Sequence, residues 1–194
     1  DDAPEVEGIT KSTPAEVFSP GTPWEGFAPD EEGSIAIELF TSGTTGDPKS
    51  AILRHDNLMA YILGTIEFMS AEESQSTLVS VPPYHIAGIS AILSSVYAGR
   101  RMVQLPNFSP EAWLKLAKQE NVSQAFLVPT MLQRIIEYTA SNNETLDLPA
   151  MQAIAYGGGK MPHSVIEQAM MLMPHVNFTN AYGLTETSST ICLL

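Results

Sequence analysis

The residues able to do chemistry fall into a few short runs, and the richest is Phe40-Thr41-Ser42-Gly43-Thr44-Thr45-Gly46-Asp47-Pro48-Lys49. An apolar, β-branched segment, Ile35 to Phe40, leads into hydroxyls, two glycines and a lysine. Glycines let a chain turn tightly and bring its N–H groups close to a ligand. Successive N–H groups in such a turn form a concave anion site, to which Ser and Thr hydroxyls add donors. Lys49 adds a mobile positive charge, and Pro48 stiffens the approach to it. The run reads as a phosphate-holding loop after a buried strand.

A second run is Asn180-Ala181-Tyr182-Gly183-Leu184-Thr185-Glu186-Thr187, placed here after a strand over 176–180. Tyr182 offers a flat face for a base, Thr185 a donor for phosphate, and Glu186 an oxygen ligand of the kind Mg²⁺ prefers. Taken alone it reads equally well as a capped turn. Tyr156-Gly157-Gly158-Gly159-Lys160 joins a strand to a helix and by itself is a flexible turn. Pro82-Pro83-Tyr84-His85-Ile86-Ala87-Gly88 carries a lone histidine in an apolar setting, which is usually structural. His55 reads as a helix-start residue, and His163 and His175 carry no signal. The four histidines lack metal-ligand spacing, and Ser42 has no base pattern for a hydrolase triad.

These groups need a scaffold. Strand-like runs fall at 35–40, 50–53, 77–81, 101–105, 123–128, 152–156 and 176–180, with helical runs at 55–69, 85–98, 110–120, 129–140 and 162–173. The helix at 129–140 puts Met131, Leu132, Ile135, Ile136 and Thr139 on one face. Ser109 and Pro110 open another helix as cap and first-turn residue, and Pro129 and Pro162 open two more. Short apolar strands alternating with amphipathic helices predict an α/β fold: a layered, mostly parallel sheet with helices on both faces. Ligands in such sheets bind at the carboxyl ends of the strands, where the first two runs can meet. Residues 1–34, with five of the fourteen prolines, read as an extended arm pinned by Trp24 and Phe27. Residues 139–149 form a polar surface connection, and Met170-Met171-Leu172-Met173 reads as adaptable core packing.

The chain has 194 residues and a net charge of −13 from 22 acids and 9 bases, which argues against nucleic acid and anionic membrane as partners. No apolar run approaches the roughly 20 residues of a membrane span. One cysteine, Cys192, excludes an internal disulfide, so a reducing cytoplasm is the expected location. Asp1 opens no signal-peptide pattern, and the apolar end Thr190 to Leu194 reads as a strand beginning, so a truncated chain is expected.

The three runs at 41–49, 82–88 and 180–187, with the glycine turn at 157–159, resemble the motifs of the adenylate-forming enzymes, in the family's order. Pro48 before Lys49 departs from the Walker A pattern of P-loop NTPases. The resemblance implies ATP- and Mg²⁺-dependent activation of a carboxylic acid to an acyl-adenylate, then transfer to a thiol, coenzyme A being the expected acceptor. It assigns Thr41, Ser42, Gly43, Thr44, Thr45, Gly46 and Lys49 to the pyrophosphate. Gly158 and Gly159 fall beside the adenine, with Asn180, Ala181, Tyr182, Gly183 and Leu184 around the nucleotide. Thr185 falls to the α-phosphate, Glu186 to Mg²⁺ and His85 to the substrate carboxylate. Lys160 stands where relatives carry small or acidic residues and receives no role.

From Val81 to Ala98 there is no acid to pair with a substrate ammonium, which favours an acyl-CoA synthetase with an aliphatic, fatty-acid-like substrate over an amino-acid-activating domain. Ile86, Ile89 and Ile92 are the expected pocket walls, and aryl acids stay open. By the same resemblance, residues 35–194 are the central nucleotide- and acyl-binding portion of a larger N-terminal domain. The small C-terminal lid with its catalytic lysine is expected beyond Leu194, leaving this piece inactive alone. The alternatives are a non-catalytic nucleotide-binding subdomain and an adenylation domain loading a carrier protein. Pairing of copies through exposed sheet edges would give a homo-oligomer.

Overall fold

The computed structural model describes residues 33–41 and 49–194. The expected arm at 1–34, with Trp24 and Phe27, falls almost wholly outside the described residues, as do Ser42, Gly43, Thr44, Thr45 and Gly46 of the glycine-rich run. Eight strands and five α-helices are present among the described residues. In chain order they are β1 (Ile35–Thr41), β2 (Lys49–Arg54), α1 (His55–Thr65), β3 (Ser76–Val79), α2 (Ile86–Ala98), β4 (Arg101–Gln104) and α3 (Pro110–Gln119). There follow β5 (Gln124–Leu127), α4 (Pro129–Ser141), β6 (Ala153–Gly157), α5 (His163–Leu172), β7 (Asn177–Leu184) and β8 (Ser189–Leu193).

Strands β3 to β8 form one six-stranded sheet in the order β4-β3-β5-β6-β7-β8, parallel except for the antiparallel β8. From β3 the chain steps outward to β4, then returns past β3 and continues through β5, β6 and β7. Crossovers between parallel strands are right-handed, so reversing the direction of travel moves the helices to the other face. Helix α2, in the β3-to-β4 connection, therefore takes one face, and α3, α4 and α5 the other. The expected α/β layering, with helices on both faces, is what the chain adopts.

The face under α3–α5 holds the main core: Leu78, Leu127 and Ile154 from the strands meet Trp113, Leu132, Ile135 and Ala169 from the helices. Helix α4 turns the expected stripe inward, with Leu132, Ile135, Ile136 and Thr139 buried and Met131 packed against the cluster. Ser109 caps α3 as expected, its Oγ accepting from the Ala112 N–H at 3.1 Å. Pro129 occupies the first turn of α4, while Pro162 stands one residue ahead of α5.

Four expectations need correction. Of Met170 to Met173, read as core packing, only Met173 is buried, while Met170, Met171 and Leu172 lie exposed on the outer side of α5 and its end. Strands β1 and β2 do not join the parallel sheet; they pair antiparallel with each other as a separate two-stranded ladder. In β1 only Leu39 is buried and Phe40 is 76% exposed, so the glycine-rich run does not follow a buried strand. The ladder has a single packed face, where Leu39 and Leu53 meet Leu58 of α1 and Ile89 of α2. The helix expected over 55–69 stops at Thr65, because Ile66 is extended and Met69 has a positive φ of 52°. Strand β7 runs on to Leu184, so Asn180 to Leu184 are strand rather than loop. The reason is β8, which returns antiparallel and supplies those residues with ladder partners up to Leu184↔Ser189. Among the described residues no helix is long and apolar enough to cross a membrane.

Candidate functional site

A cavity of about 860 Å³ lies on the sheet face beneath α2. Its position follows from the reversal at β3: where helices leave β3 and β5 on opposite faces, the carboxyl ends of the strands open a crevice. Alternation then decides which side chains enter. Leu78, Leu127 and Ile154 go to the core, so their neighbours Thr77, Phe126, Val128 and Ala155 line the cavity.

At the carboxyl ends of the strands the cavity is bounded by Thr41, Lys49, His85, Gly158, Thr185 and Glu186. Thr41 and Lys49 face each other across the β1–β2 ladder, with the Thr41 hydroxyl donating to the Lys49 carbonyl at 3.4 Å. The two ends of the glycine-rich run are thus delivered to the cavity together. His85 immediately precedes α2 in extended conformation; its N–H donates to the Pro82 carbonyl at 3.0 Å and its ring tilts against Tyr84, centroids 4.8 Å apart. Gly88 is required here, because a Cβ would run into the Val81 and Pro82 carbonyls that the helix start sits on.

Thr185 and Glu186 stand on a 3₁₀ turn, Thr185–Thr187, between β7 and β8. Thr187, given no role by the sequence, ties this turn: the Leu184 N–H donates to its Oγ1 at 3.0 Å, while its hydroxyl reaches the Leu184 and Ser189 carbonyls at 2.9 and 3.0 Å. Gly183 lets β8 close over it, since a Cβ would collide with the Ser189 carbonyl. Thr185 is half-buried and Glu186 exposed at the cavity edge, so the Glu186 carboxylate is open to a hard cation. Among the described residues no cluster of three His, Cys, Asp or Glu side chains could enclose a metal ion. Mg²⁺ is ordinarily held by one or two carboxylates together with substrate phosphate oxygens and water, and Glu186 is the carboxylate of the described lining that could serve it.

Of the expected site residues, Thr41, Lys49, His85, Gly158, Ala181, Gly183, Leu184, Thr185 and Glu186 share the cavity, and Ile86 is one of its walls. Gly159, Asn180 and Tyr182 do not line it; Tyr182 is 57% exposed. For Asn180 and Tyr182 the strand period explains this, since they alternate with Ala181 and Gly183 and point to the other side of β7, whereas Leu184 reaches the cavity edge from the strand's last position. Ile89 belongs to the small cluster under the β1–β2 ladder, and Ile92 is likewise not a wall.

The deeper end is polar, which the sequence reading did not foresee. Thr77, Ser94, Ser95, Arg100 and Gln124 line it. Burial presses the Arg100 guanidinium below its usual range, though it remains a cation at neutral pH. The available signal was the pair Arg100-Arg101 placed directly before a strand, together with serines in a helix otherwise apolar.

The chain matches the AMP-binding enzyme family over residues 3–194. It is 29% identical over 175 residues to a 2-succinylbenzoate–CoA ligase of Bacillus cereus, covering 86% of this chain and 35% of that one. A solved structure of o-succinylbenzoate coenzyme A synthetase from Bacillus subtilis, in complex with ATP and a magnesium ion, superposes with a TM-score of 0.72 at 27% identity, over 84% of this chain and 33% of that one. A long-chain-fatty-acid–CoA ligase from Archaeoglobus fulgidus shares the fold, with a TM-score of 0.75 at 22% identity over 84% of this chain and 34% of that one. The chain spans about a third of the length of the relatives it matches. Matched by that family over residues 3–194 and sharing the fold of its solved members, this chain belongs to the AMP-binding family of adenylate-forming enzymes.

Proposed function

We propose that residues 35–194 supply the nucleotide- and acid-binding portion of an acid–thiol ligase that activates a carboxylic acid with Mg·ATP and passes the acyl group to coenzyme A. The observation that carries this reading is the convergence of Thr41, Lys49, His85, Thr185 and Glu186 on one cavity from three separate runs of the chain. A carboxylate oxygen of the acid attacks the α-phosphorus of ATP, the bond to the bridging oxygen breaks, and pyrophosphate leaves. The thiol sulfur then adds to the acyl carbonyl and AMP departs.

No protein nucleophile is needed; the work is alignment and charge stabilisation. Lys49, at the mouth between β1 and β2, neutralises the departing pyrophosphate together with the run Ser42 to Gly46. Thr185 donates to the α-phosphate, and the fixed 3₁₀ turn keeps that hydroxyl in place. Mg²⁺ held at Glu186 supplies Lewis-acid charge neutralisation. His85, at the start of α2, orients the carboxylate, and Gly158 gives the adenine a flat approach.

For the acid, the curated relatives support an aryl acid of the 2-succinylbenzoate kind over a fatty acid. The absence of any carboxylate between Val81 and Ala98 supports an acid without an ammonium group.

Calorimetric titration of the chain with Mg·ATP, repeated on Thr185→Ala and Lys49→Ala, tests the reading. Each variant is expected to weaken binding by about tenfold, the worth of one charge-assisted hydrogen bond. Binding that neither substitution changes would overturn it.

A further inference from the structure

Arg100 and Arg101 are adjacent yet differently placed. Arg101 faces outward, its Nη1 paired with Glu120 Oε2 at 2.7 Å. Arg100 lines the cavity, and its Nε is buried without a hydrogen-bond partner among the described residues. Thr77 Oγ1, in the same lining, is also buried and unpartnered, whereas Ser95 donates to the Ala91 carbonyl at 2.7 Å and is satisfied. The described lining contains one carboxylate, Glu186, and it stands beyond the carboxyl ends of the strands. Arg100 precedes β4, whose Arg101 is level with Ser76 at the amino end of β3. Glu186 is therefore no counterion for it.

Arg100 is half-buried, and a guanidinium whose Nε is out of water and unpartnered in a lining with no nearby carboxylate is poised to take an anion. An aliphatic tail filling this end would leave that Nε unpartnered. A carboxylate would partner it, because its two oxygens match the guanidinium fork, and the Thr77 hydroxyl and Gln124 amide stand ready as further donors. The charge also runs against the chain's net −13, so the cation is a local feature.

We propose that Arg100 receives a second carboxylate carried by the acid substrate, making the cavity selective for dicarboxylic over monocarboxylic acids. This rests on the acid-activating reading given above and names the class of acid that the site takes.

The test is a set of calorimetric titrations of wild type, Arg100→Met and Arg100→Lys with three acids. They are 2-succinylbenzoate, with two carboxylates, and 4-oxo-4-phenylbutanoate and 2-butanoylbenzoate, each with one. Wild type is expected to bind the diacid at least about tenfold more tightly than either mono-acid. Arg100→Met should lose that preference while keeping its mono-acid affinity, and Arg100→Lys should retain part of it. Equal binding of diacid and mono-acids by wild type, or an intact preference in Arg100→Met, overturns the inference and leaves the ligase reading standing. If no acid binds and Mg·ATP gives no heat, the ligase reading fails and the inference goes with it. Should Arg100→Met not fold, the wild-type comparison of acids with one and two carboxylates decides by itself.

Discussion

The two faces of the six-stranded sheet come from alternate residues of the same strands and end as opposites. One face carries Leu78, Leu127 and Ile154 into a dry cluster with Trp113 and Leu132, all 2% exposed or less. The other carries Thr77, Phe126 and Ala155 into a cavity roofed by a helix with serines on its inner side. Close packing on one face makes it intolerant of lost volume. Open space on the other makes it tolerant of small changes and sensitive to chemistry. The lesson is that stability and function are divided by strand parity, not by stretches of sequence.

The largest expected effect lies on the packed face. Trp113→Ala should lower stability by about 3–5 kcal/mol, read as a shift of the urea midpoint. A cost below about 1 kcal/mol would mean that this face is not the tightly packed one. Next comes the seam where β8 closes on β7. Gly183→Ala forces the Ser189 carbonyl to move and should cost about 1–3 kcal/mol. It should also weaken Mg·ATP binding, because the turn bearing Thr185 and Glu186 is displaced with it. Full affinity in that variant would separate the turn from the site.

Smaller again is Ser109→Ala at the start of α3, where loss of the cap should cost about 1 kcal/mol in thermal or chemical denaturation and leave ligand binding alone. Ser94→Ala, on the cavity side of α2, should change stability by less than about 0.5 kcal/mol. An effect as large as that at Trp113 would abolish the contrast between the faces.

Much of this was legible in the sequence because it depends on local chemistry. Residue type and spacing exposed the runs at 41–49, 82–88 and 180–187, the caps at Ser109 and Pro129, and the apolar stripe of α4. Period and length placed most elements within a few residues. What was missed depends on partners distant in sequence. The β1–β2 ladder looks like any two strands until one knows that they pair only with each other. Residues 180–184 look like a loop until β8 lies beside them. Tyr182 and Gly183 are neighbours in the motif, yet strand parity sends one away from the cavity and the other to its wall.

By itself, the sequence determined the layered α/β class, the functional groups offered to the candidate site and the order in which those groups follow one another. Propensity, period and functional-group identity travel with the residues themselves. Only the tertiary structure decided that Thr41, Lys49, His85, Thr185 and Glu186 share one cavity and that Arg100 stands at its far end. The reversal of strand order at β3 places α2 opposite the other helices, and the crevice exists only once both layers are in place.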